Sequence, residues 1–232
     1  MFSELLSVLF PLRCIHCGRG GEWLCPECAA LLRPSGPHFC CRCGRPSLSR
    51  TADCPECRGR ELHFKTARAA YYFEGPARSL VHRLKYSGQR RLASYMAEIA
   101  CNQAGLTSPD KAVTLTYVPL HSAKLLNRGY NQAGLFARAL SRRLDLPLQD
   151  LLCKQNPTLA QNRLGFEERR QNLEGSITLR RGASLESGQS GRLVLVDDVY
   201  TTGSTASECA RVLTEELGAE VEVWTFARTA KR

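Results

Sequence analysis

Near its C-terminal end the chain reads Gly191-Arg-Leu-Val-Leu-Val-Asp-Asp-Val-Tyr-Thr-Thr-Gly-Ser-Thr205. Residues 193–196 are a continuous apolar run of Leu and Val, the pattern of a parallel strand buried on both faces. Two carboxylates follow at the strand's C-terminal end, then a small polar loop. Next comes Ala206-Ser-Glu-Cys-Ala-Arg-Val-Leu-Thr-Glu-Glu-Leu217, whose Ala206, Ala210, Leu213 and Leu217 share one face of a helix. The order strand, Asp-Asp, Thr-Thr-Gly-Ser-Thr, helix has a chemical use. Backbone N–H groups at a helix start, with Thr and Ser hydroxyls, take a phosphate. Gly203 lets the backbone approach closely. Adjacent carboxylates accept hydrogen bonds from the two hydroxyls of a ribose, or hold Mg²⁺ through them. The loop is not a Walker A loop, because no Gly-Lys-Ser/Thr follows.

Upstream, Ala112-Val-Thr-Leu-Thr-Tyr-Val118 reads as a second strand. It leads into the loop Pro119-Leu-His-Ser-Ala-Lys-Leu-Leu-Asn-Arg-Gly-Tyr-Asn-Gln-Ala133, followed by a helix to about Leu144. Lys124 and Arg128 after a strand end suit a pyrophosphate. Ala67–Phe73 reads as a strand, and Pro76–Tyr86 and Arg90–Ala104 as helices divided by Ser87-Gly88. Glu220-Val-Glu-Val-Trp-Thr-Phe-Ala227 is the last strand, and its alternation predicts a half-buried edge. Alternating strands and helices predict an α/β fold, a mostly parallel sheet with helices on both faces. Its ligands are expected at the strands' C-terminal ends, where these motifs lie.

The N-terminal quarter is different. Of 12 cysteines, nine lie between residues 14 and 57. Cys14-Ile-His-Cys17-Gly-Arg precedes Cys25-Pro-Glu-Cys28, and Cys40-Cys-Arg-Cys43-Gly-Arg precedes Cys54-Pro-Glu-Cys57. One unit is thus present twice. A CxxC turn aims two sulfurs at one point, and four thiolates close a tetrahedral structural zinc site. The expected ligand sets are Cys14, Cys17, Cys25, Cys28 and Cys40, Cys43, Cys54, Cys57, with an interleaved pairing as the alternative. His16 and His38 are possible substitutes. Redox CxxC or iron–sulfur chemistry ranks behind zinc. Cys41, Cys101, Cys153 and Cys209 read as small spare or core side chains. The expected division is a zinc module at 1–60 and an α/β domain at 61–232.

At 232 residues the chain can bury a real core. Ordinary apolar (43%) and charged (23%) contents exclude wholesale disorder, collagen and coiled coil. No stretch approaches the roughly 20 apolar residues of a membrane helix. Met1–Phe10 has Glu4 and no basic n-region, so it reads as a packed lead-in rather than a signal peptide, and a cytoplasmic location is expected. The formal charge of +10 is unevenly spread. Residues 65–190 hold 19 basic and 9 acidic side chains, and residues 191–232 hold 5 and 7. An anionic ligand is therefore expected to meet the middle segment, the alternative being a solvated basic surface. With two zinc ions on eight thiolates the charge falls to about +6, and residues 1–64 go from +2 to about −2.

Val194–Thr205 resembles the phosphoribosyl pyrophosphate (PRPP) signature of type I phosphoribosyltransferases. Leu84-Lys-Tyr-Ser-Gly88, the Arg-Gly-Tyr-Asn-Gln element, Gln161 and Arg169-Arg-Gln-Asn-Leu-Glu-Gly175, behind a double zinc ribbon, resemble the ComF/GntX group of bacterial competence and DNA-utilisation proteins. The resemblance spans essentially the whole chain. It implies the type I phosphoribosyltransferase fold, two structural Zn²⁺ sites, and Mg²⁺ with PRPP. It places Asp197 and Asp198 at the ribose hydroxyls. Thr201, Thr202, Gly203, Ser204 and Thr205 would wrap the 5′-phosphate. Pro119, Leu120, His121, Ser122, Lys124 and Arg128 would approach the pyrophosphate. Residues 155–172 would be a closing loop carrying Arg163, Arg169 and Arg170. Lys85 and Tyr86 either line the site or end a surface helix. Partners implied are PRPP or a related sugar phosphate, single-stranded DNA, and proteins of DNA import or recombination docked on the zinc module. Tyr71, Tyr72, Tyr86 and Tyr130 are candidates for base stacking, with core packing favoured for most. Turnover of PRPP with a nitrogen acceptor, strand handling and PRPP sensing remain distinct readings.

Overall fold

The computed structural model describes residues 12–36, 38–47, 54–102, 106–107, 112–155, 175–185 and 191–229. Met1–Phe10 and the expected closing loop beyond Gln155, with Arg163, Arg169 and Arg170, lie outside them.

A four-stranded parallel sheet runs in the order β1 (Thr66–Tyr72), β6 (Glu220–Arg228), β5 (Arg192–Tyr200), β2 (Thr114–Tyr117). The short strands β3 (Leu152–Lys154) and β4 (Ile177–Leu179) form a separate antiparallel pair. On one face lie α2 (Gly75–Tyr86), α3 (Leu92–Asn102) and α5 (Gln132–Leu144), packed against Val194, Val196, Trp224 and Phe226. On the other face α6 (Ser204–Leu217) covers Leu193, Leu195, Val221 and Val223. The expected parallel sheet with helices on both faces is present. The helix-periodic residues explain the burial: Ala77, Leu80, Val81 and Leu84 on α2, and Ala206, Ala210 and Leu213 on α6, all face inward.

Two strand expectations are corrected. β6 is central, between β1 and β5, not an edge. Its first half does alternate, because Glu220 and Glu222 face Arg192 at the sheet's lower rim. From Val223 onward both faces are covered, and Val223 to Arg228 are all buried. β5 likewise continues past the apolar run to Tyr200, because β6 pairs with it through Asp197↔Thr225, Val199↔Ala227 and Tyr200↔Arg228. The acidic pair therefore lies inside the strand's last turn of pleat, held by a neighbour on one side.

The cysteine units straddle this sheet. The first, with the short helix α1 (Pro26–Ala29), joins the core of α2 and α3 through Leu24, Cys25, Cys28 and Leu32. The second joins the opposite core with Phe64, Tyr200 and Leu213. The chain between them covers the outer edge of β1: Ser35 N–H donates to the Ala70 carbonyl, Tyr72 N–H to Arg33, and Ala67 N–H to Arg42. A bare parallel edge is thereby closed. Gly44 makes this approach feasible. Its φ is +69°, and a Cβ there would overlap the Ala67 carbonyl oxygen.

Candidate functional site: a carboxylate pair, a phosphate-type loop and two cysteine clusters

The site is built at the C-terminal ends of β5 and β2. Asp198 is buried, with 3% of its surface exposed. Asp197 accepts the Asp198 backbone N–H at 2.8 Å. Desolvation and the neighbouring Asp198 push the Asp197 carboxyl well above its ordinary range, against the pull of Lys85. Lys85, in the last turn of α2, places its ammonium 2.5 Å from Asp198 Oδ2. Burial works against that ammonium's charge, but Asp198 outweighs it, and Lys85 titrates above its ordinary value.

After β5 the chain turns through Thr201–Gly203 into α6. Gly203 caps the helix at φ +82°, where a Cβ would stand 2.7 Å from Tyr200 Cζ. Ser204 and Thr202 hydroxyls are 3.0 Å apart, and Ser204 is buried. Thr201 is exposed, Thr202 and Thr205 half-buried. The first N–H groups of a 14-residue helix thus open beside the carboxylate pair.

The segment after β2 differs from the expected long loop. Val118–His121 and Gly129–Asn131 are irregular, but Ser122–Arg128 between them forms α4, capped by His121 Nδ1, which accepts the Ala123 N–H at 3.2 Å. None of its residues is buried, so apolar periodicity could not announce it. Pro119, Leu120 and Ser122 line a cleft of about 390 Å³ with Tyr117, Arg138 and Lys154. Lys124 is exposed, yet close enough to Lys154 that its charge lowers the Lys154 ammonium, after desolvation.

The Arg-Gly-Tyr-Asn-Gln element joins this loop to α2. Tyr130 OH donates to the Leu84 carbonyl, next to Lys85. Asn131 caps α5 through Ala133 N–H at 2.9 Å and donates to the Val118 carbonyl at 2.9 Å. Arg90 donates to the Gly129 carbonyl at 3.0 Å and lies over the Tyr130 ring. Arg128 contacts Gln132 and lies 5.4 Å over the Tyr86 ring. Of the four tyrosines singled out, Tyr71 and Tyr130 are buried and Tyr72 is half-buried beneath Arg33. Tyr86 is 71% exposed. The residue that sequence reading underweighted is Lys85. Its signals were the Leu84–Gly88 resemblance and a basic residue in the last turn of a helix, and its partner lies 113 positions away.

The cysteines form two clusters, Cys14, Cys17, Cys25, Cys28 and Cys40, Cys43, Cys54, Cys57, in each of which the sulfurs lie within 4.8 Å of one another. This is the unit-by-unit pairing, and the interleaved alternative is removed. Four sulfurs and no open position fit structural zinc. Burial raises the Cys14 thiol, but backbone N–H groups of Cys17, Cys25 and His16 outweigh it and hold it near 6. In the second cluster the same competition brings Cys40 to about 7. His16 is engaged elsewhere, with Nδ1 3.0 Å from Ser79 Oγ. Cys101 and Cys209 are buried, and Cys41 and Cys153 are half-buried.

Among the described residues no helix is long and apolar enough to cross a membrane. Residues 5–58 match the double zinc ribbon domain family. Among solved structures, an adenine phosphoribosyltransferase from Leishmania tarentolae overlaps 69% of this chain and 78% of its own, at 15% identity and TM-score 0.35. That overlap is too low to carry weight. The sequence relatives carry more. The DNA utilization protein YhgH of Escherichia coli K12 is 30% identical, over 90% of this chain and 92% of that protein. Competence protein ComFC of Bacillus subtilis is 28% identical, over 90% and 85%. Competence protein F of Haemophilus influenzae is 34% identical over 230 residues, 94% of this chain and 98% of that protein. With double-ribbon cysteines in the chain and relatives matched almost end to end, this protein belongs to the competence protein F family of competence and DNA-utilisation proteins.

Proposed function

We propose that the chain binds PRPP or a closely related sugar phosphate, with Mg²⁺, and that this binding serves the uptake or utilisation of DNA. One juxtaposition carries the reading: the half-buried Asp197 and buried Asp198, at the end of β5, are followed by the Gly203-capped start of α6. Asp197 and Asp198 would take the ribose hydroxyls or hold Mg²⁺. Thr201, Thr202, Ser204, Thr205 and the Gly203 backbone would take the 5′-phosphate. Pro119–Ser122, Lys124 and Arg128 would take the pyrophosphate. Bound Mg²⁺ would neutralise pyrophosphate charge and favour its departure. Arg163 and Arg169, which lie outside the described residues, would assist the departure of pyrophosphate. If the chain turns PRPP over, a nitrogen nucleophile attacks the anomeric carbon and pyrophosphate leaves. Catalysis then rests on positioning and charge stabilisation rather than on a general base. A PRPP sensor would use the same contacts without the last step.

The test is calorimetry of PRPP, with and without Mg²⁺, on wild type and Asp197→Asn/Asp198→Asn. Mg²⁺-dependent heat lost in the double variant supports the reading. A zinc-loaded wild type that gives none overturns it. Pyrophosphate release in an acceptor screen then separates enzyme from sensor.

A second observation favours a role for the same face in holding single-stranded DNA. Residues 75–91 contain five basic side chains and no acidic one. The half-buried Phe73 just before α2 stands 6.1 Å from the ring of His82, and the exposed His82 and Tyr86 rings on α2 are 5.7 Å apart. Exposed rings in a basic field are the elements of a strand-binding track. Oligo(dT) anisotropy should show a steep salt dependence, and Tyr86→Ala should weaken binding about tenfold. Unchanged affinity in that variant removes the track. The ribbons, acidic once loaded with zinc, are the proposed docking face for proteins of DNA import or recombination.

A further inference from the structure

Lys85 is the one basic residue of α2 that turns inward. Its ammonium stands 2.5 Å from Asp198 Oδ2, with the two side chains 23% and 5% exposed. Its position is fixed from behind: Leu84 is fully buried, and the Leu84 carbonyl accepts the Tyr130 hydroxyl. Among the described residues, Asp198 Oδ2 accepts no other donor. Adjacent carboxylates withdrawn from water cannot both remain charged without a nearby cation. A metal or a sugar hydroxyl that approaches Asp198 through Oδ2 competes with Lys85 for that oxygen.

We infer that Lys85 is the site's resident counter-cation: it occupies on Asp198 the place that a divalent cation or a sugar hydroxyl must take, so ligand entry proceeds by exchange. The inference rests on reading Asp197 and Asp198 as the sugar-phosphate site. Exchange gives the empty pocket a charge balance of its own. It also leaves a displaced ammonium tethered beside the incoming ligand, within reach of its anionic groups. Lys85 is a positioning residue in this scheme. The other charged or titratable groups around the pair are Lys154 on β3 and Cys209 on α6, with Lys124 and Glu208 behind them.

The test uses Mn²⁺ alone as a paramagnetic probe on the full-length, zinc-loaded chain. Four proteins are compared: wild type, Lys85→Gln, Lys85→Arg and Lys85→Gln/Asp198→Asn. Lys85→Gln should bind Mn²⁺ about tenfold more tightly than wild type at pH 8, because a fixed competitor is gone. Lys85→Arg should behave like wild type, and Asp198→Asn should erase the gain. Equal or weaker Mn²⁺ binding by Lys85→Gln at pH 8, or a gain that survives Asp198→Asn, overturns the inference. Should Lys85→Gln fail to fold, ¹³C-methylated lysine spectra of the wild type decide. The Lys85 resonance, identified by its loss in Lys85→Arg, should move on Mg²⁺ saturation, and a stationary resonance overturns the inference. The two readings fail separately. A Mn²⁺ gain without PRPP binding leaves Lys85 exchange standing and removes the sugar phosphate. PRPP binding without the gain does the reverse.

Discussion

The two cysteine units are near copies in sequence and unlike in place. In the first, Cys17 is exposed and the unit lies on α2 and α3, with His16 at Ser79 and Arg33 at Glu74 on its rim. In the second, all four cysteines are buried. Arg228, at the end of the central strand and 2% exposed, donates to the Cys43 carbonyl at 2.9 Å and pairs with Glu56 at 3.2 Å. Its guanidinium also lies over the Tyr200 ring, and Tyr200 meets Phe64 edge-on. The second unit is thus a structural extension of the face covered by α6, whereas the first covers the α2–α3 face, from which Lys85 reaches Asp198. A duplicated motif fixes ligand chemistry; where each copy docks decides how much of the fold depends on its metal.

Mutations can break that comparison. The largest effect is expected for Cys43→Ser, which empties the buried cluster. The loss of a folding-coupled zinc should prevent accumulation of folded protein, whereas Cys17→Ser should leave a folded sheet holding about one zinc per chain. Metal analysis beside thermal melting checks both, and equal losses would erase the distinction. Next is Glu56→Ala, which strands a buried guanidinium and should cost about 3–5 kcal/mol. The rim pair Arg33–Glu74, with side chains 66% and 44% exposed, should contribute well under 1 kcal/mol when broken by Glu74→Ala. Gly203→Ala should cost about 1–3 kcal/mol through its positive φ and the Tyr200 ring, read as a lower urea midpoint.

One effect has the opposite sign. Asp197 has its carboxyl raised above the ordinary 3.8 by desolvation and by Asp198. Such a group destabilises the folded state progressively as pH rises from its unfolded value through its folded one. Asp197→Asn should therefore stabilise the protein at pH 7, by about 1 kcal/mol, and the gain should disappear near pH 4. A loss of stability at pH 7 would mean that the acidic pair holds the fold rather than straining it.

What could be read from the sequence follows from distance along the chain. Local patterns placed the β5–loop–α6 unit, the helix after Asn131 and the two four-cysteine sets, because each is written within about 25 residues. Long-range choices were hidden. Glu220-Val-Glu-Val looks like an edge because its polar residues serve the sheet's lower rim, and nothing local shows that β1, about 150 positions earlier, will cover its other side. The Arg228–Glu56 bond spans 172 positions, and it turns a residue type that normally marks surface into part of the core. α4 was read as loop because its apolar Leu125 and Leu126 are 41% and 84% exposed, so its helicity has no buried stripe. Lys85 was ambiguous for the same reason as Arg228, since charge alone does not say which side of a helix end meets a buried acid.

Hydrogen exchange with and without Mg²⁺–PRPP tests the sugar-phosphate site most directly, because it reports where the ligand sits as well as whether it binds. Amides of Thr201–Ala206 and Leu120–Lys124 should slow on binding, while those around Cys14–Cys28 stay unchanged. No slowing in these two segments at saturating ligand, or slowing confined to the ribbons, would contradict the assignment of the β5 end as the sugar-phosphate site.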